Sequence, residues 1–571
     1  MKILFFTMNM EIWAHALPEI TIAKFLKTKH KIKFLSCGKN QNYCQSIHMK
    51  LGGIDKIQTD KLENKIKKIC KMCCLTSSMV KKELNVEVDL LKNYLTVQER
   101  ENIIKLINNT QNQQLFKLTF KKINYGLNSI YDFLLEKKKM SLNLTQNEFE
   151  EYRVILKNSL FNLIAFSNYL KTYKPDVVMC FSPQYFSNIN AVKYAQSLNI
   201  KVLFMESGVN WGNRLGTMRI WDWKKYKMNN PAKELWLKDK IINKKLDWEK
   251  LIKIKEHYNE LIKGRMHTVY SSKPLQKVNL KEKLNINNKK VILATLSSFD
   301  EAYAAYIIGG FEKKKFKSKV YNNQFEWISN LINWIKNNDY FLIVRVHPRD
   351  FPNRREDLLS EQAKLLKRKL IKKNKNIYVN WPEDNISFYD LLSITDVITT
   401  GWSITAVEAL ALGLPAVTYD YKIHSYPRDI LLSGTSRKIY YQNLKKAILE
   451  GWSIKNSIKG MRWLGFNYVE NNIFINKKIG AFERTNNFLI FRIMNYLKMN
   501  TIFGRRYSLR RTSYDEREMI YLNKMIHLNK TSIAEIKNKK KSYISKKKEL
   551  FLVYETLKKI PITVKGYNQT L

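Results

Sequence analysis

Cysteine is scarce in this chain, with six in 571 residues at Cys37, Cys44, Cys70, Cys73, Cys74 and Cys180. A fold stapled by disulfides is therefore not expected. Long apolar runs are missing as well, and no window approaches the roughly 18 to 20 uninterrupted apolar residues that span a bilayer as a helix. The opening MKILFFTMNM has one early lysine and a short apolar run, but Asn9, Glu11 and His15 stand where a cleavage site would fall. It reads as a first β-strand, and the protein as cytoplasmic, with room to lie on the inner face of the cytoplasmic membrane. No internal repeat at a solenoid period is present. Zinc-finger spacing, RNP-like aromatics and a helix-turn-helix pattern are also missing, which weighs against a nucleic-acid partner. Acidic residues are few, 50 against 100 Lys and Arg, for a formal charge of +50. Such a surface attracts anions without naming one, and much of the excess is lysine mixed with asparagine and isoleucine throughout, as an AT-rich coding sequence gives.

What is present is enough for two or three domains with ordinary cores, since 45% of residues are hydrophobic. KILFFTM, the helix-like ALPEITIAKFLKTK and KIKFLSC make a βαβ start. From about residue 60 to 160 the pattern becomes long, charged and of helical period, a helical insertion. PDVVMCFS, NINAVKYAQSLN and KVLFMESG then resume the strand and helix alternation of a doubly wound parallel sheet. Lysines mix with Trp211, Trp221, Trp223, Trp236 and Trp248, and KPL with LNINNKK reads as a linker. A second alternation follows through KVILATLSS, YFLIVRVHP, NIYVN and VITTGWSITAVEALALGLPAV. The expected division is 1–270 and 271–450 for two Rossmann-like halves, then 451–571 as a helical extension whose basic tail holds GRRYSLRR and NKKKSYISKKK.

In open α/β sheets, ligands bind beyond the carboxyl ends of the strands. After VITT, Gly401 frees the backbone to turn, Ser403 or Thr405 can cap the helix running to Leu412, and that helix start suits a phosphate. Glu408, one turn in, is placed to accept from ribose hydroxyls; capping alone accounts equally well for the two hydroxyls. RVHPRD follows another strand and offers His347, Arg345 and Arg349 as charged or near-charged donors to a phosphate, presented by Pro348. Ser297 and Ser298 follow a third strand, with phosphate or sugar contact and helix capping both open to them. Four thiols, Cys37, Cys44, Cys70 and Cys73, the last two separated by two residues, offer a structural zinc site, against the alternative of ordinary reduced cysteines beside a helix.

The HPRD turn at His347, the segment Asn385 to Val417, SSFDE from Ser297, MEIWAHALPEITIA and MESG from Met205 together resemble the bacterial capsule polysaccharide biosynthesis glycosyltransferases. The resemblance covers most of the chain, least across 60–160 and past 480. It implies a GT-B fold, two Rossmann-like domains facing a cleft, and transfer of a sugar from a CMP-linked acidic sugar or a UDP-sugar to a capsule or lipopolysaccharide-type glycan. By the same resemblance His347, Ser403 and Thr405 would meet the nucleotide phosphate, although Trp402 stands where the family usually has small residues. Glu11 and His15 after the first strand and Glu206 at the end of KVLFM would face the acceptor, Glu206 first among them as the base. No cofactor is required by this reading, because His347, the arginines and a helix start would stabilise the leaving phosphate. The expected partners are the nucleotide-sugar donor, a glycan or glycolipid acceptor and an anionic membrane surface. A nucleotide-sugar 2-epimerase of the same fold is the alternative enzyme, and a nucleic-acid-binding protein or an inactive scaffold the alternative outside enzymes.

Overall fold

In the computed structural model, the described residues are 1–53, 60–238, 243–263, 279–311, 318, 320–353, 357–370, 374–419, 425–476, 489–537 and 544–567. The expected linker KPL, the boundary at 270 and the first part of NKKKSYISKKK lie outside them. Six strands open the chain: β1 (Lys2–Thr7), β2 (Lys31–Ser36), β3 (Glu87–Leu90), β4 (Val177–Phe181), β5 (Lys201–Ser207) and β6 (Thr217–Asp222). Six more follow: β7 (Lys290–Thr295), β8 (Tyr340–Arg345), β9 (Ile377–Asn380), β10 (Val397–Thr400), β11 (Ala416–Tyr419) and β12 (Leu432–Gly434). A last short strand, β13 (Ile473–Phe474), returns to the first sheet.

The first sheet has the order β13-β6-β5-β4-β1-β2-β3 and the second β12-β11-β10-β7-β8-β9. Each reads, within its own half, as strands 3-2-1-4-5-6, the doubly wound dinucleotide-fold order. The second sheet is parallel throughout, and the first is parallel apart from β6 and β13. Parallel strands must be covered on both faces, and the sequence meets that demand with continuous apolar runs. In β1, Ile3 and Phe5 enter one core while Leu4 and Phe6 enter the opposite one. In β7, Val291 and Leu293 face one core and Ile292 and Ala294 the other. Crossover helices such as Trp13–Leu26 and Gln324–Lys336 supply the covering layers, the latter capped by the Asn323 side chain accepting from the Glu326 N–H.

The region expected to be a helical insertion does contain the helices Asp60–Leu84, Val97–Asn109 and Gln146–Thr172, but it also holds β3. That edge strand alternates carboxylates with apolar residues, and Lys33 of β2 binds both Glu87 (2.6 Å) and Asp89 (3.2 Å). The two lobes also divide the chain differently from the expected 1–270 and 271–450. Helices Ala232–Lys238 and Trp248–Leu261 bury Trp236, Leu251 and Ile254 in the core of the second sheet, because those apolar faces find their partners there. Trp221 and Trp223 are buried against Phe204, so that part of the tryptophan-rich stretch is core.

The C-terminal extension is not a separate third body. β13 pairs antiparallel with β6, and the Asp222 N–H donates to the Thr531 carbonyl at 2.7 Å. Helix Lys546–Lys558 then docks on the second lobe, where Glu549 accepts from Arg462 at 2.6 and 2.8 Å. Between them Arg505, almost fully buried, donates to the carbonyls of Met10, Glu11 and Met499 and to Thr76 Oγ1, and lies 3.4 Å from Glu11 Oε1. Removing one partner of a buried pair leaves an uncompensated charge. Arg505→Met is expected to lower unfolding free energy by about 3–5 kcal/mol, read from denaturant midpoints at unchanged slope; a loss within ~0.5 kcal/mol would show that the guanidinium does not hold the extension.

Candidate functional site

Strand order reverses between β1 and β4 in the first sheet and between β7 and β10 in the second, and the carboxyl ends at those points are where open α/β sheets bind ligands. In the second lobe that place is lined with hydroxyls. Thr400 Oγ1 donates to the Thr295 carbonyl at 2.9 Å and accepts from the Ser403 N–H at 3.1 Å. Thr405 Oγ1 lies 2.9 Å from Ser403 Oγ and 3.0 Å from Thr295 Oγ1. Ser403 and Thr405 are half-buried, open on one side. Gly401 is required by a close approach, since a Cβ there would lie 2.8 Å from Tyr419 Oη. The helix is Thr405–Ala411; its N-cap residue Ile404 makes no side-chain cap bond, and Ser403 Oγ accepts from the Thr405 N–H at 3.4 Å, so Ser403 serves both the helix start and the hydroxyl cluster.

Glu408 does not face this crevice. It is buried, with Oε1 3.4 Å from His257 Nε2 and Oε2 accepting from Tyr389 Oη at 3.4 Å. Its first-turn position was legible, but the helix that brings His257 over it belongs to a segment expected in the other lobe, so the expected ribose contact is not open in this structure.

The turn after β8 also departs from expectation. Arg345 points inward, donating to Asn380 Oδ1 and to the Ile386 carbonyl at 2.8 Å, and burial lowers its pKa to about 10. His347 is half-buried, and its Nδ1 accepts from the Arg349 N–H at 3.3 Å. Burial first, and then the Arg349 charge, push its pKa down to about 4, so at neutral pH it is an uncharged imidazole instead of the cation expected. Arg349 is buried and donates to Asp300 Oδ2 and to the Leu135 carbonyl of the first lobe, each at 2.9 Å, with Nε 3.5 Å from Glu301. Asp350 is buried too, and burial followed by the nearby Asp300 charge raises its pKa to about 7. Its oxygens accept from Ser360 Oγ (2.9 Å) and Gln362 Nε2 (2.8 Å).

Ser297 and Ser298 are both buried. Ser298 Oγ donates to Asp300 Oδ1 at 2.5 Å, which orients the carboxylate that holds Arg349. The Ser297 backbone is bound by Gln324 and Gln362, while its hydroxyl is buried with no hydrogen-bond partner among the described residues.

In the first lobe, Glu11 is buried under Arg505 and 3.4 Å from Lys50 Nζ, an anchor for the extension more than a cleft carboxylate. His15 stacks on Phe181 at the end of β4, with ring centroids 4.4 Å apart. Glu206, near the end of β5, is partly exposed and 2.5 Å from Arg219 Nη2. Sequence reading missed Glu19. It lies one helical step (i, i+4) from His15 in helix Trp13–Leu26, is 5% exposed, bonds the Phe181 backbone, and leaves Oε1 buried without a hydrogen-bond partner among the described residues. Burial raises its pKa to about 8. The signal available was a lone carboxylate inside the apolar ALPEITIA just after the first strand.

Among the described residues no three His, Cys, Asp or Glu side chains are arranged to hold a metal ion. Cys37 and Cys44 pack in the first core, and burial raises them to about 11 and about 12, while Cys70 and Cys73 are raised as well. Each thiol is raised first by burial, and Cys37, Cys44 and Cys74 are among the neighbours that add to the shift of Cys73.

The two crevices meet across one cleft. Tyr131 of the first lobe is held well above the usual tyrosine range by burial and then by the charges of Tyr185, Glu301, Asp132 and Glu206. Lys138 donates to the carbonyls of Phe351 and Leu358 at 2.8 Å each, closing one end. The architecture is GT-B. No family model matches the chain, and no curated protein does. Solved structures similar to it include a putative UDP-N-acetylglucosamine 2-epimerase from Listeria monocytogenes, at 12% identity and TM-score 0.29, covering 85% of this chain and 97% of that one. A UDP-GlcNAc 2-epimerase from Methanocaldococcus jannaschii, in complex with UDP-GlcNAc and UDP, has 15% identity and TM-score 0.28 over 87% and 100%. The beta Kdo 2,4 transferase KpsC of Thermosulfurimonas dismutans has 13% identity and TM-score 0.31 over 58% and 88%. At such scores the assignment of the fold rests on the strand order of the two sheets.

Glu19 ionises near 4.5 when unfolded and about 8 when folded. Its raised pKa means that its contribution is fully present below pH 4.5 and lost as pH rises toward 8. Relative to Glu19→Gln, the parent is expected to lose on the order of 3 kcal/mol by pH 7, measured by urea unfolding across pH 4–9. A pH-independent difference would place the carboxyl in water.

Proposed function

We propose that the protein is a glycosyltransferase that moves a sugar from a CMP- or UDP-linked donor to a growing capsule or lipopolysaccharide-type glycan on the cytoplasmic side of the membrane. The observation that carries this reading is the pairing of two switch-point crevices across one cleft, hydroxyls on one side and an oriented carboxylate on the other. Ser403, Thr405 and Gly401 would receive the donor phosphate. His347, uncharged, would donate one hydrogen bond to the leaving nucleotide, and Ser298, through Asp300, would keep Arg349 in place beside it. Arg345 has an internal role in this reading, and the Ser297 hydroxyl, just past β7, is a buried donor without a partner among the described residues.

Glu206 is the base, fixed in direction by Arg219. In a direct displacement it takes the proton of the acceptor hydroxyl while that oxygen bonds the anomeric carbon and the nucleotide departs with the electron pair of the broken bond. His15 and the protonated Glu19 line the neighbouring β1/β4 crevice and would bind the acceptor. Glu11 supports that wall from beneath.

Calorimetric titration with CMP, CDP, UDP and GDP tests the nucleotide side. One nucleotide is expected to bind, about tenfold more weakly in His347→Ala or Ser403→Ala, as for one lost hydrogen bond. No binding, or full-strength binding by both variants, would remove the assignment. Glu206→Gln is expected to lower kcat by roughly 10²–10⁴ with KM little changed. Conversion of UDP-GlcNAc to its 2-epimer without any acceptor would favour the epimerase alternative.

A further inference from the structure

The helices Leu489–Asn500 and Ile502–Arg511 form a hairpin on the outside of the first lobe. Its inner side is fixed by Met499, Ile502 and Leu509 in the first-lobe core and by Arg505. Its outer side is apolar and bare. Leu489, Ile490 and Tyr496 are 69%, 68% and 65% exposed, Ile493 and Leu497 about half so, and Phe503, beside the turn of the hairpin, 77% exposed. Positions 489, 493, 496 and 497 follow helical spacing, so this is one continuous stripe and not scattered surface residues.

Charge distinguishes the kind of partner. Residues 489–511 contain six Lys or Arg and no Asp or Glu, although Arg505 is buried and Arg506 and Arg510 pair with Glu83 of the neighbouring helix at 3.1 and 2.7 Å. Arg511 is exposed and lies over the Tyr507 ring at 5.0 Å, and helix Asp60–Leu84, packed against the hairpin, exposes Lys65, Lys68, Lys71, Lys81 and Lys82. No described helix is long and apolar enough to cross a membrane. An apolar stripe on a helix of this length, flanked by more cations than acids, is suited to lying in the headgroup layer of an anionic bilayer.

We propose that this hairpin is a lipid-docking face that holds the protein on anionic membrane, with the outward apolar side chains among the acyl chains and Arg511 and the lysines against the headgroups. The inference goes beyond the transferase reading and does not depend on it, because docking is measured without nucleotide or acceptor.

The experiment is sedimentation of the full chain with vesicles of phosphatidylcholine and phosphatidylglycerol at 3:1, and with phosphatidylcholine alone. Binding is expected to the anionic vesicles and to weaken with salt. Ile493→Ser with Phe503→Ser is expected to reduce partitioning at least tenfold, and Arg511→Gln about fivefold, as one surface charge would. These positions are exposed, so unchanged near-UV dichroism and Tm identify a folded variant, and variants that lost either would be replaced by Leu489→Ser with Tyr496→Ser. Equal partitioning of parent and folded variant overturns the proposal. So does failure of the parent to bind anionic vesicles while it forms a dimer that the same substitutions dissociate, which would make the stripe an interface between copies.

Discussion

Arg349 carries a buried positive charge that neither lobe satisfies alone. Asp300 and Glu301 supply the negative partners from the second lobe, and the Leu135 carbonyl completes its hydrogen bonding from the first. Lys138, buried and held at φ 47°, does the same in the other direction through Phe351 and Leu358. A left-handed backbone at a non-glycine residue costs energy and persists only where its surroundings fix it. Separating the lobes at this end would break the hydrogen bonds that both cations make to the opposite lobe, so the cleft has one closed end. The turn bearing His347 sits at that end, and its position relative to Ser403 and Glu206 follows from it.

Burial also decides which groups in the cleft are charged. His347 is driven toward the neutral form, while Glu19 and Asp350 are driven toward the protonated form, each chiefly through loss of water. The chain as a whole is strongly cationic, yet its crevices hold proton donors and acceptors more than bare ions.

Much of this was legible from residue patterns. The nine strands written as apolar runs are all present, and Gly401, Ser403 and Thr405 stand at the expected strand end. The four strands that went unread are short or polar: β3 alternates acids, β6 holds Arg219, β12 has three residues and β13 two. Their place in a sheet comes from distant partners, as with Lys33 beneath β3. Site residues were misread for a related reason. Arg345 and Glu408 have the right type at the right step, but the side chains that enclose them, Asn380 and His257, come from segments that sequence spacing does not connect. Spacing likewise says nothing of the apolar core around Cys37 and Cys44.

Arg505 bonds the backbone of Met10 and Glu11, nearly five hundred residues earlier, and β13 with Thr531 borders β6. During synthesis the first sheet therefore leaves the ribosome with the floor of its first loop absent and one edge unpaired. It stays in that condition while the whole second lobe is made. An open strand edge is a template for pairing with other chains, so this protein asks more of chaperones at its N-terminal half than a chain whose lobes mature in order.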